Sequence, residues 1–192
     1  MLNLISQINY SLLMPLHQAV ISDSLLRELV IVFGRDLDIY VFAAVLMFFL
    51  FHEHEKKINA SNDIGMSCIR EMILLSFSAF IAWLTTAFLK IVFASPRPFE
   101  LYQNIEPLFI FGGGDSLPSG HATIFAALTM MVFILHKKAG WILAILTFLI
   151  SISRVAAGIH FPLDILAGWI IGVGVSYFIY NLFKPRLLHK HK

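Results

Sequence analysis

Pro118-Ser119-Gly120-His121 opens the stretch PSGHATIFAALTMMVFILHKK (118–138), and the fold turns on how that stretch is read. From Ala122 to Leu135 every residue is apolar or small. Such a run reads as a membrane-crossing helix, but a crossing needs about 20 residues, so the helix is expected to start near Ser119 and run to about Lys138. A serine, a glycine and an imidazole then stand where lipid-facing residues would be expected. A helix start leaves backbone N–H groups without intrahelical carbonyls and carries the positive end of the helix dipole. Glycine also lets a ligand approach the backbone closely, so the stretch reads as the floor of a phosphate site.

Outward from this stretch the chain keeps the same character. Of its 192 residues, 58% are hydrophobic and 14% charged, and the mean hydropathy is +0.81. That balance excludes an ordinary soluble domain and indicates one integral membrane domain over residues 1–192. The net charge of +2 is mild and its basic residues lie in short inter-segment stretches, which argues against nucleic acid as a partner. A single cysteine, Cys68, leaves no intrachain disulfide framework and no cysteine-based zinc set. The first basic residue is Arg27, so the N-terminus lacks the charged n-region of a secretory signal peptide.

The predicted architecture is all-α: a polytopic transmembrane bundle of about five to six spanning helices with an N-terminal interfacial helix. Residues 3–20 mix Leu, Ile and Met with Asn, Gln and His, and read as that interfacial helix, with a break at Pro15. Leu25 to Phe51 is interrupted by Gly34-Arg35-Asp36-Leu37-Asp38, so the first span lies mainly over Ile39–Phe51 and extends backwards through a kink. His52 to Glu71 is aqueous, and Met72 to Phe93 is a clear span. Pro96 to Pro118 is irregular loop containing Gly112-Gly113-Gly114. A further span runs from Trp141 to about Ile159, and the last starts at Pro162, a residue suited to a first helical turn, and stays apolar to Phe183.

The loop 52–71, the turn 136–140 and the tail hold nine basic residues, whereas Arg27 and Arg35 are the only ones outside the suspected site on the other side. The positive-inside rule assigns the nine to the cytoplasmic face. Up-and-down threading then gathers Lys90 and Arg97, Ser119 to His121, Ser153, Arg154 and His160, and Asp164 at the outer boundary of a cytoplasmic membrane. Three permanent cations beside one carboxylate ask for an anion, and phosphate is the natural occupant. Arginine offers bidentate contacts and Lys90 a point charge. Two histidines supply what phosphoryl transfer then needs, a nucleophile and a proton donor. His160 and Asp164 are four apart across Pro162, so the carboxylate can hold one imidazole nitrogen protonated and leave the other free to attack. His121 is then the general acid. No carboxylate cluster resembles a divalent metal cage, and neither a metal nor another cofactor is expected.

Lys90, six residues, Arg97-Pro98; Pro118-Ser119-Gly120-His121; and Ser153-Arg154, five residues, His160, three residues, Asp164 together resemble the three-part signature of the type 2 phosphatidic acid phosphatase superfamily of membrane lipid phosphatases. The resemblance covers residues 90–164. It implies a helical membrane bundle and metal-independent hydrolysis of lipid phosphates or diphosphates. It further implies a phosphohistidine at His160, acid catalysis by His121, and phosphate binding by Lys90, Arg97, Ser119, Gly120 and Arg154, with Pro98, Pro118 and Ser153 in support. Soluble vanadium haloperoxidases share the signature, but the hydropathy argues against them. By analogy with small bacterial-looking members, the expected substrate is undecaprenyl diphosphate; phosphatidylglycerophosphate, phosphatidate and lipid A phosphates are the alternatives.

Taken singly, each residue has a plainer use. Lys90 could snorkel to the interface, Asp164 could cap a helix, and His160 could be a buried structural histidine. Jointly, six costly groups at one membrane depth are hard to explain that way. A non-catalytic anion carrier is the rival from another class, but a carrier has no need of a nucleophile with its own orienting acid. Phe99, Tyr102, Phe109 and Phe111 read as interfacial anchors. The pairs His52/His54 and His189/His191 read as solvated surface among Glu and Lys.

Overall fold

A computed structural model of the chain describes residues 2–37, 40, 41, 43–45, 47, 63–110 and 115–188. Much of the first expected span, the run Gly112-Gly113-Gly114 with Phe111, and both histidine pairs lie outside the described residues. The described residues are helical without a strand: α1 (Leu2–Ser22), α2 (Ser24–Ile31) running into a π-helical turn (Val32–Asp36), α3 (Asp63–Phe93), α4 (Pro98–Leu101), α5 (Gly120–Leu135), α6 (Lys137–Ala156) and α7 (Pro162–Leu188). Among the described residues, three stretches are long and apolar enough to cross a membrane: Ile69–Leu101, Lys137–Ala156 and Pro162–Phe183. Large apolar side chains such as Phe88, Ile91, Ile145, Ile170 and Phe178 point outward, as a lipid-embedded bundle requires.

The helix α5 is the centre of the bundle, packed by α3, α6 and α7. Its 16 residues rise only about 24 Å, short of the Ser119–Lys138 helix that the sequence predicts. It stops because His136 leaves helical backbone at φ −140° and ψ 84° and starts α6 immediately. There its Nε2 lies 3.0 Å from Glu71 Oε2 of α3. The helix α6 is correspondingly earlier than the expected Trp141–Ile159, so Arg154 falls in its last turn.

Two glycines set the distance between α5 and α7. A Cβ on Gly172 would stand 2.2 Å from Thr123 O, and one on Gly168 would stand 2.9 Å from Ala122 Cβ. Neither has room for a methyl group. Backbones in a membrane approach this closely where small residues meet, and Ser176, one turn on, donates to Ala127 O across 2.5 Å. The close approach brings the first turn of α7, with Asp164, beside the first turn of α5.

Three expectations need correction. Pro15 does not break α1, which runs through it. Proline removes one helical hydrogen bond, but Leu13, His17 and Val20 on either side are buried at 0%, 1% and 5% exposure and hold the helix against the bundle. The helix is therefore packed into the protein along one face. Next, α3 begins at Asp63, within the stretch expected to be aqueous, because a helix can continue beyond hydrocarbon without apolar residues. Last, the 96–118 loop is not wholly irregular, since Pro98–Leu101 forms one turn. The interruption at Gly34 to Asp36 is a π-helical turn, a known cause of kinks.

Candidate functional site

The site is assembled from four segment ends. At α7, Pro162 takes the first helical position, and Asp164 Oδ2 reaches back to accept the Phe161 N–H at 2.8 Å. This satisfies an amide that the helix start leaves over. The same oxygen accepts the Ser116 hydroxyl at 2.5 Å and lies 3.5 Å from His160 Nδ1. Capping and imidazole orientation are thus the work of one carboxylate. Asp164 and His160 are 3% and 4% exposed.

His160 faces both Asp164 and Ser116, whose Oγ is 3.4 Å from Nδ1. Both distances from Nδ1 are long for hydrogen bonds, so the hydroxyl and carboxylate cradle the ring instead of clamping it. Acceptors on that side assign the hydrogen to Nδ1 and leave Nε2 bare. Burial pushes the imidazole down to about 4; Asp164 opposes that shift, and the positive charges of Arg97 and Lys90 add to it. The ring is neutral at neutral pH.

The cations come from the other segments. Lys90, in the last turn of α3, is half-buried and its Nζ donates to Asp115 O. Arg97 is buried and precedes the α4 turn, where its N–H donates to Glu100 Oε2 at 2.7 Å. Arg154 is 1% exposed, and its guanidinium lies over the Phe109 ring at 5.6 Å. This corrects the reading of Phe109 as an interfacial anchor, since it is buried and packs under a charged group. Tyr102 likewise packs inward, with its ring centroid 4.5 Å from that of Tyr10 and 6.4 Å from that of Phe161.

Ser119 caps α5, but not in the way the sequence suggests. Its N–H is not free for a ligand: it donates to Asp164 O at 3.1 Å, tying α5 to α7. Its hydroxyl is fully buried and without a hydrogen-bonding partner. Helix geometry leaves the Gly120 amide without an intrahelical carbonyl. A Cβ on Gly120 would stand 3.8 Å from Thr86 Cγ2, an ordinary packing distance. His121, partly buried, is the second residue of α5.

The structure therefore brings Lys90, Arg97, His160 and Asp164 into electrostatic contact and joins Ser119 to Asp164. Arg154 is set one short loop before His160. Pro98, Pro118 and Ser153 are all buried behind them. Two residues escaped the sequence reading. Ser116 looked like loop, three positions before Ser119, and nothing local marks its hydroxyl as a partner of Asp164. His17 lies in the N-terminal helix, and no spacing connects it to residues so far along the chain.

Residues 71–187 match the family model of the PAP2 superfamily. The Bacitracin transport permease protein BcrC of Bacillus licheniformis is 36% identical over 84 residues, covering 44% of this chain and 41% of that protein. An Undecaprenyl-diphosphatase of Sulfolobus acidocaldarius is 37% identical over 92 residues, covering 46% of this chain and 43% of that protein. The aligned stretch thus spans less than half the length of either relative. The crystal structure of Aquifex aeolicus LpxE superposes with a TM-score of 0.57 at 22% identity, over 80% of this chain and 93% of that one, a likeness of fold.

Proposed function

The chain belongs to the PAP2 superfamily, and from that premise we propose that it hydrolyses the terminal phosphate of a membrane lipid diphosphate, with undecaprenyl diphosphate as the favoured substrate. The observation that carries the chemistry is the neutral, buried His160 with Nδ1 toward Asp164 and Ser116. The Sulfolobus acidocaldarius relative, named for undecaprenyl diphosphate, supports the choice of lipid. The reaction takes place at the outer face of a cytoplasmic membrane, on the positive-inside assignment.

The terminal phosphate rests on the first turn of α5, at the Gly120 amide and the Ser119 hydroxyl, with its oxygens neutralised by Lys90, Arg97 and Arg154. His160 Nε2 attacks phosphorus in line, forming an N–P bond as the bridging P–O bond breaks. His121 gives its proton to the leaving oxygen, so the lipid monophosphate departs. A water, deprotonated by the same His121, then attacks the phosphohistidine and releases inorganic phosphate, which restores both imidazoles. Asp164 stabilises positive charge on His160 as the N–P bond forms. Cations and helix amides supply the charge stabilisation that a metal ion supplies elsewhere.

Purified protein in detergent with excess EDTA, assayed for inorganic phosphate from undecaprenyl diphosphate, phosphatidylglycerophosphate, phosphatidate and lipid A, tests the reading. The highest kcat/KM on undecaprenyl diphosphate supports it. Preference for another lipid would overturn the substrate, and phosphate binding without release would favour the carrier.

A further inference from the structure

The loop carrying His160 is held from outside by a residue that the reaction does not use. We propose that His17 is a positioning residue of the site, fixing the turn between Arg154 and His160 by hydrogen bonding to Ala156 O. This rests on the reading of His160 as nucleophile.

Each carbonyl that ends α6 has a donor. A helix leaves its last carbonyls without intrahelical donors, and because residues 153–160 are buried those carbonyls must find donors within the protein. Ser153 O accepts from Ala157 N–H at 2.9 Å, Arg154 O from Ile159 N–H at 3.3 Å, Val155 O from Gly158 N–H at 2.9 Å and Ala157 O from Leu108 N–H at 3.1 Å. Ala156 O is met by His17 Nδ1 at 2.8 Å, from a residue 139 positions away. A carbonyl can only accept, so Nδ1 carries the hydrogen. His17 Nε2 is buried without a partner, so the ring's one hydrogen bond is directed at this turn.

The surrounding packing makes the contact close. Gly158 has φ +75°, and a Cβ there would lie 3.2 Å from His17 Cε1 and 2.7 Å from Ile105 Cγ2. The imidazole therefore lies against the residue that reverses the chain two positions before His160. Leu13, one turn earlier on α1, is fully buried in a cluster with Val155, Phe161 and Ile165. Freed from His17, the Ala156–Ala157 peptide is held through the Ala157 N–H on Ser153 O, and Arg154 and His160 on either side of it can shift.

The test compares His17→Leu, His17→Asn and His17→Gln in the full-length protein in detergent, with lipid diphosphate as substrate. Asparagine places an amide N–H where Nδ1 stands; glutamine carries it one bond too far; leucine fills the space without a donor. His17→Leu should lower kcat about tenfold to a hundredfold, the order of loss for a displaced reacting group, with KM little changed. His17→Asn should recover most of the rate and His17→Gln should not. Equal activity of the Asn and Leu variants, whether high or low, would overturn the proposal, as would a change confined to KM. If His17→Leu does not fold, the Asn and Gln pair decides: equal kcat values overturn the proposal and a higher value for Asn supports it. His160→Ala is run alongside. Wild-type turnover there would mean that the reading of the site fails; a dead His160→Ala beside an unimpaired His17→Leu would mean that only the role of His17 fails.

Discussion

Ser116 Oγ lies 2.5 Å from Asp164 Oδ2 and 3.4 Å from His160 Nδ1, so one loop hydroxyl touches both members of the His160–Asp164 pair. It is fully buried, and its N–H donates to Ser95 O at 2.7 Å, which fastens it to the segment that follows α3.

Ser116→Ala leaves Asp164 Oδ2 with the Phe161 N–H and the long contact to His160 Nδ1. The carboxylate and the imidazole then have more freedom, and kcat on a lipid diphosphate should fall about tenfold to a hundredfold, the order expected of a lost hydrogen bond to a charged group. KM should change little, because Ser116 is placed behind the ring. Steady-state kinetics that showed unchanged kcat would remove Ser116 from the site.

The pH dependence follows from His160. A nucleophile must be neutral, and burial together with Arg97 and Lys90 holds this imidazole near 4 against the pull of Asp164. As pH falls, kcat/KM should therefore persist well below the 6–7 of an ordinary histidine and be lost only as pH passes about 4. Asp164 raises the value, so Asp164→Asn should move that acid limb lower still while reducing the maximum rate. A limb near 6.5 would mean that His160 is not the group titrating.

The two histidines should fail differently. His160→Ala should abolish turnover of every substrate. His121→Ala should slow departure of a lipid leaving group by about 10²–10⁴, and less so for p-nitrophenyl phosphate, whose leaving group needs no proton. Rescue of His160→Ala by the aryl ester, with none for His121→Ala, would reverse the two roles.

Gly172→Ala puts a methyl group 2.2 Å from Thr123 O. Overpacking of this kind costs about 1–3 kcal/mol and would push α7 from α5. Thermal unfolding in detergent should fall by several degrees, and activity should fall with it because Ser119 N–H and Asp164 O are joined across that interface.

Much of this was legible in the sequence, and the reasons are physical. A charge or imidazole in a membrane-length apolar run is conspicuous, so Lys90, Arg97, His121, Arg154, His160 and Asp164 stood out by contrast, and hydropathy located the helices that carry them. Helix ends were harder. Hydropathy marks where lipid is, whereas α3 continues past it and α5 stops at His136, where backbone geometry decides. Ser116 and His17 were invisible because each matters through a contact across the fold. Both are polar residues in stretches where polarity is ordinary. Ser119 was read as an open amide because a helix start in isolation has one, and only the packing of α7 shows where that N–H goes.

On the proposed mechanism, phosphate passes through His160. A single turnover with lipid diphosphate carrying ³²P in its terminal phosphate, quenched in alkaline detergent to preserve a phosphoramidate, tests it most directly. Label should appear on the protein, decay as inorganic phosphate appears, map to the peptide containing His160 and be absent from His160→Ala. Label on another residue, or turnover at the wild-type rate by His160→Ala, would contradict it.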